Sequence, residues 1–432
     1  MNYDETIKFL YNQLPIYQNI GNRALKKGLF NIKKLTNKLD NPHKSFKIIH
    51  IAGTNGKGSS AHSIASICQE NGIKTGLYTS PHLITFRERI KINGKMISKK
   101  NVIKFVENNF SYIKKINPSF FELSVAMAFN YFNEKKVKIA IIEVGLGGKL
   151  DSTNIVNPFI SLITNIGLDH KEILGSTIKK IAIEKSGIIK KDGLTIIGEK
   201  QNEIKDVFIN KAKNLNNKLY FASDIIKIMI NEKDKNKINV HLKLNNKKYK
   251  NQIEINSNYY LKNLPGIILV SYLILKNYKI DSINPFGGLS KVKFNTGISG
   301  RWEILSKKPT IICDICHNTE GFKEVLIDLK KMKFNQIYFI IGGVKTKDWS
   351  LITGFLPKNY KYLLCEPKTQ RSIDTDSLSI FFQNNNLNFK VINNSVKALK
   401  YSQLTAKKDD LIFIGGSALL VSEILKEWEK RN

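Results

Sequence analysis

Cysteine is scarce in this chain, acidic residues are few for the number of basic ones, and no long apolar run occurs. Four cysteines, Cys68, Cys313, Cys316 and Cys365, in 432 residues are too few for a disulfide scaffold. Cys313-Asp314-Ile315-Cys316-His317 fits the C-x-x-C-H pattern of covalent haem attachment, which belongs to exported proteins. No second cysteine pair completes a zinc site. The apolar Ile311 and Ile312 place the two sulfurs near a strand end, as small core or near-core residues. No uninterrupted apolar run approaches the ~18 residues that span a bilayer, so no membrane partner is expected. The opening MNYDETIKFLYNQL has an early acidic pair and no basic region before an apolar core. It carries no secretory signature, and the expected location is cytoplasmic. No internal repeat and no long low-complexity linker is seen.

The 36 acidic residues face 69 basic ones, a net charge of +33. A charge of that size suggests nucleic acid or an anionic surface as partner. Against this, the basic residues are dispersed, with no arginine-rich arm or stripe. Lysine, asparagine and isoleucine crowd the chain together, as in NEKDKNKINV (231–240) and LNNKKYKNQ (244–252). These three residues share A/T-rich codons, so base-composition drift accounts for the excess, and no nucleic-acid partner is expected. At 42% hydrophobic and 24% charged residues the composition is that of a soluble globular protein, and the length suits about two or three domains.

The most informative segment is Lys47–Ser60, KIIHIAGTNGKGSS. An apolar strand rises into a turn with Gly53, Gly56 and Gly58 around Lys57, and a helix is predicted from Ser60 to Asn71, stopping at Gly72. Strand, glycine turn, lysine and helix form an arrangement that cradles phosphates. Backbone N–H groups approach the oxygens, the helix N-terminus adds positive potential, and the lysine brings a full charge. The spacing departs from the common P-loop, GxxxxGK followed at once by Ser or Thr. Gly58 follows Lys57, Ser59 comes one residue late, and the first glycine lies only three residues before Gly56.

The first forty residues read as helical, with Leu10, Leu14, Leu25, Leu29, Ile32 and Leu35 as candidate buried positions. Strand-like runs follow at 46–52, Ile139–Val144, Ile160–Ile166 and Leu194–Ile197, separated by helical stretches that include Phe121–Phe132 and Ile178–Lys185. Alternation of this kind predicts an α/β fold with a mostly parallel, doubly wound sheet. Lys237–Ile255 alternates apolar and polar residues around Asn245-Asn246 and reads as an antiparallel hairpin beside that sheet. Asn263-Leu264-Pro265 reads as a helix start, with Asn263 as cap. A boundary is placed near Phe294–Gly300. This divides the chain into a larger ATP-binding domain (1–297) and a smaller Rossmann-like domain (298–432). In the second, Thr310–Cys313, Gln336–Ile341, Tyr360–Cys365, Phe389–Val391 and Leu411–Ile414 are predicted strands.

Ligands of doubly wound sheets bind at the carboxyl ends of the strands. Glu143 closes IAIIEVG and His170 closes ITNIGLDH, so both are placed to face Lys57. A nucleotide enzyme needs Mg²⁺, a hard cation with oxygen ligands. Glu143 suits it, and a histidine is a less usual ligand.

The segments GTNGKGS, TSPHLITFRERI (79–90), FFELSVAMAFNYF (120–132), EVGLGGKLDSTN (143–154), TNIGLDH (164–170), IAIEKSGIIK (181–190), GRWE (300–303), DICHN (314–318), GGVKTKDW (342–349) and GSALLVSEIL (416–425) occur in one order. As a set they resemble folylpolyglutamate synthase and dihydrofolate synthase, the folate branch of the Mur ligases, over nearly the whole chain. The resemblance implies an ATP-dependent ligase adding L-glutamate to dihydropteroate, to reduced folates or to both. The reaction would run through an acyl phosphate, in a site completed by domain closure. It also implies site residues. Asn55, Gly56, Lys57, Gly58 and Ser59 would hold the ATP phosphates, and Ser80, Glu143 and His170 would bind Mg²⁺. Asn263 and Arg301 would contact adenine and phosphate, Asp314 the ribose, and His317 would reach toward the transferred phosphate. Lys185, by its sequence position alone a helix-surface lysine, would carry a carbamate. A monomer is expected, and Ser80–Arg89 with Phe121 are expected near the pterin. Ile315, Lys149 and Thr319 stand where the family commonly has glycine, arginine and proline. Alternatives are a peptidoglycan-type Mur ligase, a basic P-loop protein acting on nucleic acid, and a non-catalytic nucleotide binder. The TSPHL segment and the lack of an extra N-terminal domain count against the first.

Overall fold

In the computed structural model, strand β1 (Lys47–Ala52) buries every residue after Lys47. A strand does this at the centre of a parallel sheet covered on both faces. The structure describes residues 1–12, 28–233, 238–244, 247–254, 257–282 and 284–431. β1 joins β2 (Thr75–Tyr78), β3 (Ile90–Ile92), β4 (Lys95–Met96), β5 (Ile139–Glu143), β6 (Ile160–Ile163), β7 (Leu194–Ile197) and β8 (Lys218–Phe221) in an eight-stranded sheet of order β4-β3-β2-β5-β1-β6-β7-β8. From β2 to β8 across the sheet the pairs are parallel. β3 and β4 add an antiparallel edge.

The sheet order decides where a ligand can enter. After β1 the chain crosses through helix Lys57–Glu70 to β2 on one side, and after β6 it crosses through helix Ile178–Lys185 to β7 on the other. Connections that diverge from neighbouring strands open a crevice at their carboxyl ends. The register sets Ile51 beside both Glu143 and Leu162, so the loops after β1, β5 and β6 begin at one level. One core cluster gathers Ile48, Tyr78, Ala140 and Ile142 with Val102, Phe105, Phe120 and Phe129. Another gathers Val144, Ile163 and Ile197 with Ile181, Ile188 and Phe208. Among the described residues, no helix is long and apolar enough to cross a membrane.

A separate sheet holds β9 (Lys227–Lys233), β10 (Ile238–Leu244) and β11 (Lys247–Ile253), all antiparallel. The expected hairpin is therefore present as β10 and β11, with a third strand that the sequence did not announce. Asn245 and Asn246 lie outside the described residues, as do Leu14 and Leu25. Leu10, Ile32 and Leu35 are buried, on helices Tyr3–Asn12 and Phe30–Lys38, while Leu29 is only half-buried.

Two helix starts differ from expectation. Helix Lys57–Glu70 begins three residues before Ser60, because Gly56 takes a left-handed conformation (φ 79°) and turns the chain directly into it. Asn263 is not a cap. Helix Asn258–Asn277 starts five residues earlier and carries Pro265 in its interior. Proline there forfeits one backbone hydrogen bond, and the buried apolar face from Leu264 to Leu275 holds the helix together across it.

The chain forms two compact units, residues 1–256 with 260–298, and residues 257–259 with 299–432. The second has its own sheet of β12 (Glu303–Lys307), β13 (Thr310–Cys313), β14 (Ile337–Ile341), β15 (Lys361–Leu364), β16 (Phe389–Val391) and β17 (Leu411–Gly415), in the order β12-β13-β17-β14-β15-β16. Only β12 runs antiparallel to its neighbour. Cys313 and Cys316 are buried, as expected of small core residues.

Phe339 is fully buried at the centre of this unit, its ring 4.8 Å from Phe413 edge-on and 5.8 Å from Tyr362. Phe339→Ala is expected to destabilise the second unit by about 3–5 kcal/mol. Urea unfolding would measure this, and a loss under about 1 kcal/mol would show that the unit does not depend on this ring.

Candidate active site

The turn after β1 is built by contact with the end of β6. A Cβ on Gly53 (φ 147°) would lie 1.8 Å from Thr164 Oγ1, and one on Gly56 would lie 2.4 Å from Asn263 Nδ2. Only glycine permits this backbone at both positions. Thr164 Oγ1 donates to the Asn55 carbonyl (2.7 Å), the Asn55 N–H donates to Asn165 Oδ1 (3.0 Å), and the Thr54 N–H donates to the Asn165 carbonyl (2.9 Å). Asn165 Nδ2 also reaches Asn263 Oδ1 at 3.4 Å. Asn55, Gly56, Lys57 and Gly58 are thereby presented half-buried, and Ser59 is buried behind them. No side chain caps the helix that starts at Lys57, so its N-terminus points its dipole at the turn.

Two lysines converge beneath the turn. Lys57 Nζ donates to the carbonyls of Gly53 and Thr54, both at 3.0 Å, and Lys185 Nζ donates to the same Gly53 carbonyl at 2.8 Å. Lys185 is not a surface lysine. It is 4% exposed, because the loop after β5 lies on the end of its helix, so close that a Cβ on Gly148 would be 2.8 Å from the Glu184 carbonyl. Burial, and then the charge of Lys57, pull the Lys185 amine down to about 7. Asp151 holds that covering loop by accepting from the N–H groups of Leu146 and Thr153, each at 2.9 Å.

Glu143 is buried at the end of β5, where Oε2 accepts the Ser80 N–H at 2.9 Å. Its Oε1 stands 3.5 Å from the Cβ position of Gly58. The structure thus brings Ser80, Glu143 and the glycine turn together. His170 takes a left-handed conformation (φ 49°) before helix Lys171–Leu174 and pairs with Asp169, Nε2 to Oδ2 at 3.7 Å. Glu143 belongs to no described cluster of three metal-ligand side chains. The donors nevertheless suit a hard divalent cation. A buried carboxylate and a serine lie beside the turn, and the hydroxyls of Ser59 and Ser60 are buried with no hydrogen-bond partner. Mg²⁺ takes only one or two carboxylates and keeps several waters.

In the second unit, Asp314 follows β13 and is 3% exposed. Its Oδ1 accepts the Cys316 N–H (2.9 Å), and its Oδ2 accepts the Trp302 N–H (2.8 Å) and the Tyr259 hydroxyl (2.6 Å). Half-buried Arg301 precedes Trp302. Half-buried His317 precedes Asn318, whose Oδ1 caps helix Thr319–Lys331 through the Gly321 N–H at 2.8 Å.

Family models match both units: the Mur ligase middle domain over residues 51–270, and the glutamate ligase domain of Mur ligases over residues 300–418. The dihydrofolate synthase/folylpolyglutamate synthase of Buchnera aphidicola subsp. Schizaphis graminum is 33% identical over 98% of each chain. The chain belongs to the folylpolyglutamate synthase/dihydrofolate synthase family. A folylpolyglutamate synthase of Thermotoga maritima shares the family's two-domain α/β fold, with a TM-score of 0.83 and 29% identity over 100% of this chain and 97% of that one. The chain spans about half (51%) of a Haloferax volcanii relative, a probable bifunctional folylpolyglutamate synthase/dihydropteroate synthase, at 27% identity.

Set against the family's usual residues, three substitutions are accommodated locally. Ile315, in the glycine position, is not among the residues with positive φ, and its N–H donates to the Gly300 carbonyl at 3.1 Å. Thr319 occupies the first helical position, where proline is also favoured. Lys149 is exposed, and its backbone N–H donates to the Glu184 carbonyl at 3.0 Å. Thr164 and Asn165, which shape the turn, and Asp151, which holds the loop after β5, were legible only as parts of the segments TNIGLDH and EVGLGGKLDSTN.

Gly56→Ala would strain a left-handed backbone and press a methyl group on Asn263. ADP binding, measured by titration calorimetry, is expected to weaken by at least about tenfold with the far-ultraviolet circular dichroism unchanged. Affinity within twofold of the parent would show that the turn does not hold the nucleotide.

Proposed function

We propose that this chain joins L-glutamate to dihydropteroate and to reduced folates, using ATP, and works as a monomer. The observation that carries the reading is the glycine turn held against Thr164 and Asn165, with Lys57 on the Gly53 and Thr54 carbonyls, beneath an uncapped helix N-terminus and beside the Glu143–Ser80 pair. Such a site concentrates positive potential where phosphate charge develops.

The acceptor's carboxylate attacks the γ-phosphorus of ATP, ADP leaves, and an acyl phosphate forms. The amino group of glutamate then attacks the acyl carbon, phosphate departs, and an amide results. Backbone N–H groups of Asn55 to Ser59 hold the phosphates, and Lys57 swings from the Gly53 and Thr54 carbonyls to the β- and γ-oxygens. Asn263 and Arg301 contact adenine and phosphate, Asp314 the ribose, and His317 the phosphate in transfer. Ser80, Glu143 and His170 would hold a divalent cation, which would neutralise phosphate charge. Positioning and charge stabilisation account for such phosphoryl transfers.

Lys185 is suited to a carbamate. CO₂ reacts with a neutral amine, and an amine at about 7 is largely neutral at pH 8, where an ordinary lysine near 10.4 is almost wholly charged. The product is an anion, so repulsion from Lys57 becomes attraction. With ¹³C-bicarbonate, a carbamate resonance is expected to grow as pH rises through about 7 and to vanish in Lys185→Met. A resonance that persists in that variant would place the adduct elsewhere.

The function itself is tested by ADP release with Mg-ATP, with and without L-glutamate, in the presence of dihydropteroate, tetrahydrofolate or neither. Glutamate-dependent turnover with both acceptors is expected, and Glu143→Gln should lower it by at least about a hundredfold. No glutamate-dependent turnover with either acceptor would overturn the reading.

A further inference from the structure

We infer that Tyr259 is a positioning residue for the nucleotide's ribose: it fixes the Asp314 carboxylate so that Oδ1 alone is left to receive a ribose hydroxyl. The inference rests on the reading of Asp314 as the ribose-side carboxylate. Each carboxylate oxygen has about two acceptor sites. Oδ2 fills both, with the Trp302 N–H at 2.8 Å and the Tyr259 hydroxyl at 2.6 Å, whereas among the described residues Oδ1 accepts only the Cys316 N–H, at 2.9 Å. One acceptor site remains, on a known atom.

The surrounding chain is arranged to hold that orientation. Trp302 is a bulky residue in the left-handed region (φ 46°), following Gly300 at φ 67°. A side chain tolerates that backbone only where neighbours over-determine it. Here the indole is buried with its ring 6.2 Å from Phe413, and the residue's backbone N–H donates to Asp314 Oδ2. Tyr259 is anchored by its neighbour, since the Asn258 N–H donates to buried Asp328 Oδ2 at 2.7 Å. Burial and the nearby Asp314 charge hold the Tyr259 phenol well above its ordinary value, so it stays a donor at any working pH. Without that hydroxyl, Oδ2 gains an open site and the carboxylate can offer a ligand either oxygen.

The test compares ATP with 2′-deoxy-ATP and 3′-deoxy-ATP in steady-state kinetics on the full chain. The parent is expected to lose about tenfold in kcat/KM with at least one analogue, and Asp314→Asn to lose that discrimination. Tyr259→Phe, which keeps the ring, is expected to raise KM for ATP about three- to tenfold and shrink the analogue penalty at least threefold. Tyr260→Phe removes the same atom one residue on, from a hydroxyl bonded to Ser63 Oγ. It is expected to keep the parental penalty, which separates positioning from a general loss of structure. A parental penalty abolished by Asp314→Asn but intact in Tyr259→Phe would overturn the inference alone, as would equal changes in the two tyrosine variants. A parent that does not discriminate, with Asp314→Asn unchanged, would overturn the Asp314 reading and this inference with it.

Discussion

The close approach of the turn after β1 to the end of β6 is the constraint on which the rest of the first unit depends. Gly53 and Gly56 leave no room for a Cβ against Thr164 and Asn263. Thr164 and Asn165 then use both side chains and backbone to hold Asn55 and Thr54. A turn fixed in this way aims the helix N-terminus and its amides without any movement at the moment of binding. Electrostatic stabilisation is largest when the dipoles are already oriented.

That geometry also creates the site's electrostatic tension. Two lysines share the Gly53 carbonyl, and one of them is buried under the loop after β5. Burying an ammonium is costly unless it is paired, and here the strongest charge effect after burial comes from another cation, Lys57. The Lys185 amine therefore titrates near neutrality. The same desolvation that lowers its proton affinity favours the neutral amine, the form that reacts with CO₂. The net charge of +33 comes from residues scattered over the whole chain, whereas this pair is one half-buried and one buried amine at a single carbonyl.

The second unit solves a related problem with a carboxylate. Asp314 is almost entirely buried and accepts three donors, two of them from the backbone of the segments GRWE and DICHN. Those segments are short and irregular, yet they are tied together across β12 and β13 by one side chain. This explains how a family motif of few residues fixes an acidic group in one orientation. It also explains why Ile315 is tolerated, since its backbone needs no left-handed conformation.

Much of the fold was legible because parallel strands covered on both faces are continuous apolar runs. Leu194–Ile197 and Thr310–Cys313 coincide with β7 and β13. The glycine turn and the ordered motifs were local patterns, and they sufficed to indicate the family. What the sequence could not decide depended on chain segments far apart. Lys185 meets Gly53 across 132 residues, so its burial has no local signal. Asn263 lay inside a helix because the buried face beyond Pro265 outweighed one lost hydrogen bond. Tyr259, 55 residues from Asp314, reads as an ordinary aromatic near a helix start. The sequence by itself determined the elements, the turn and the chemistry they suggest, because these follow from periodicity and local backbone preference. Which groups are dry, which oxygens are filled and which lysine gives up its proton near neutrality was decided only by the tertiary structure, because desolvation and hydrogen-bond saturation depend on everything packed around a group.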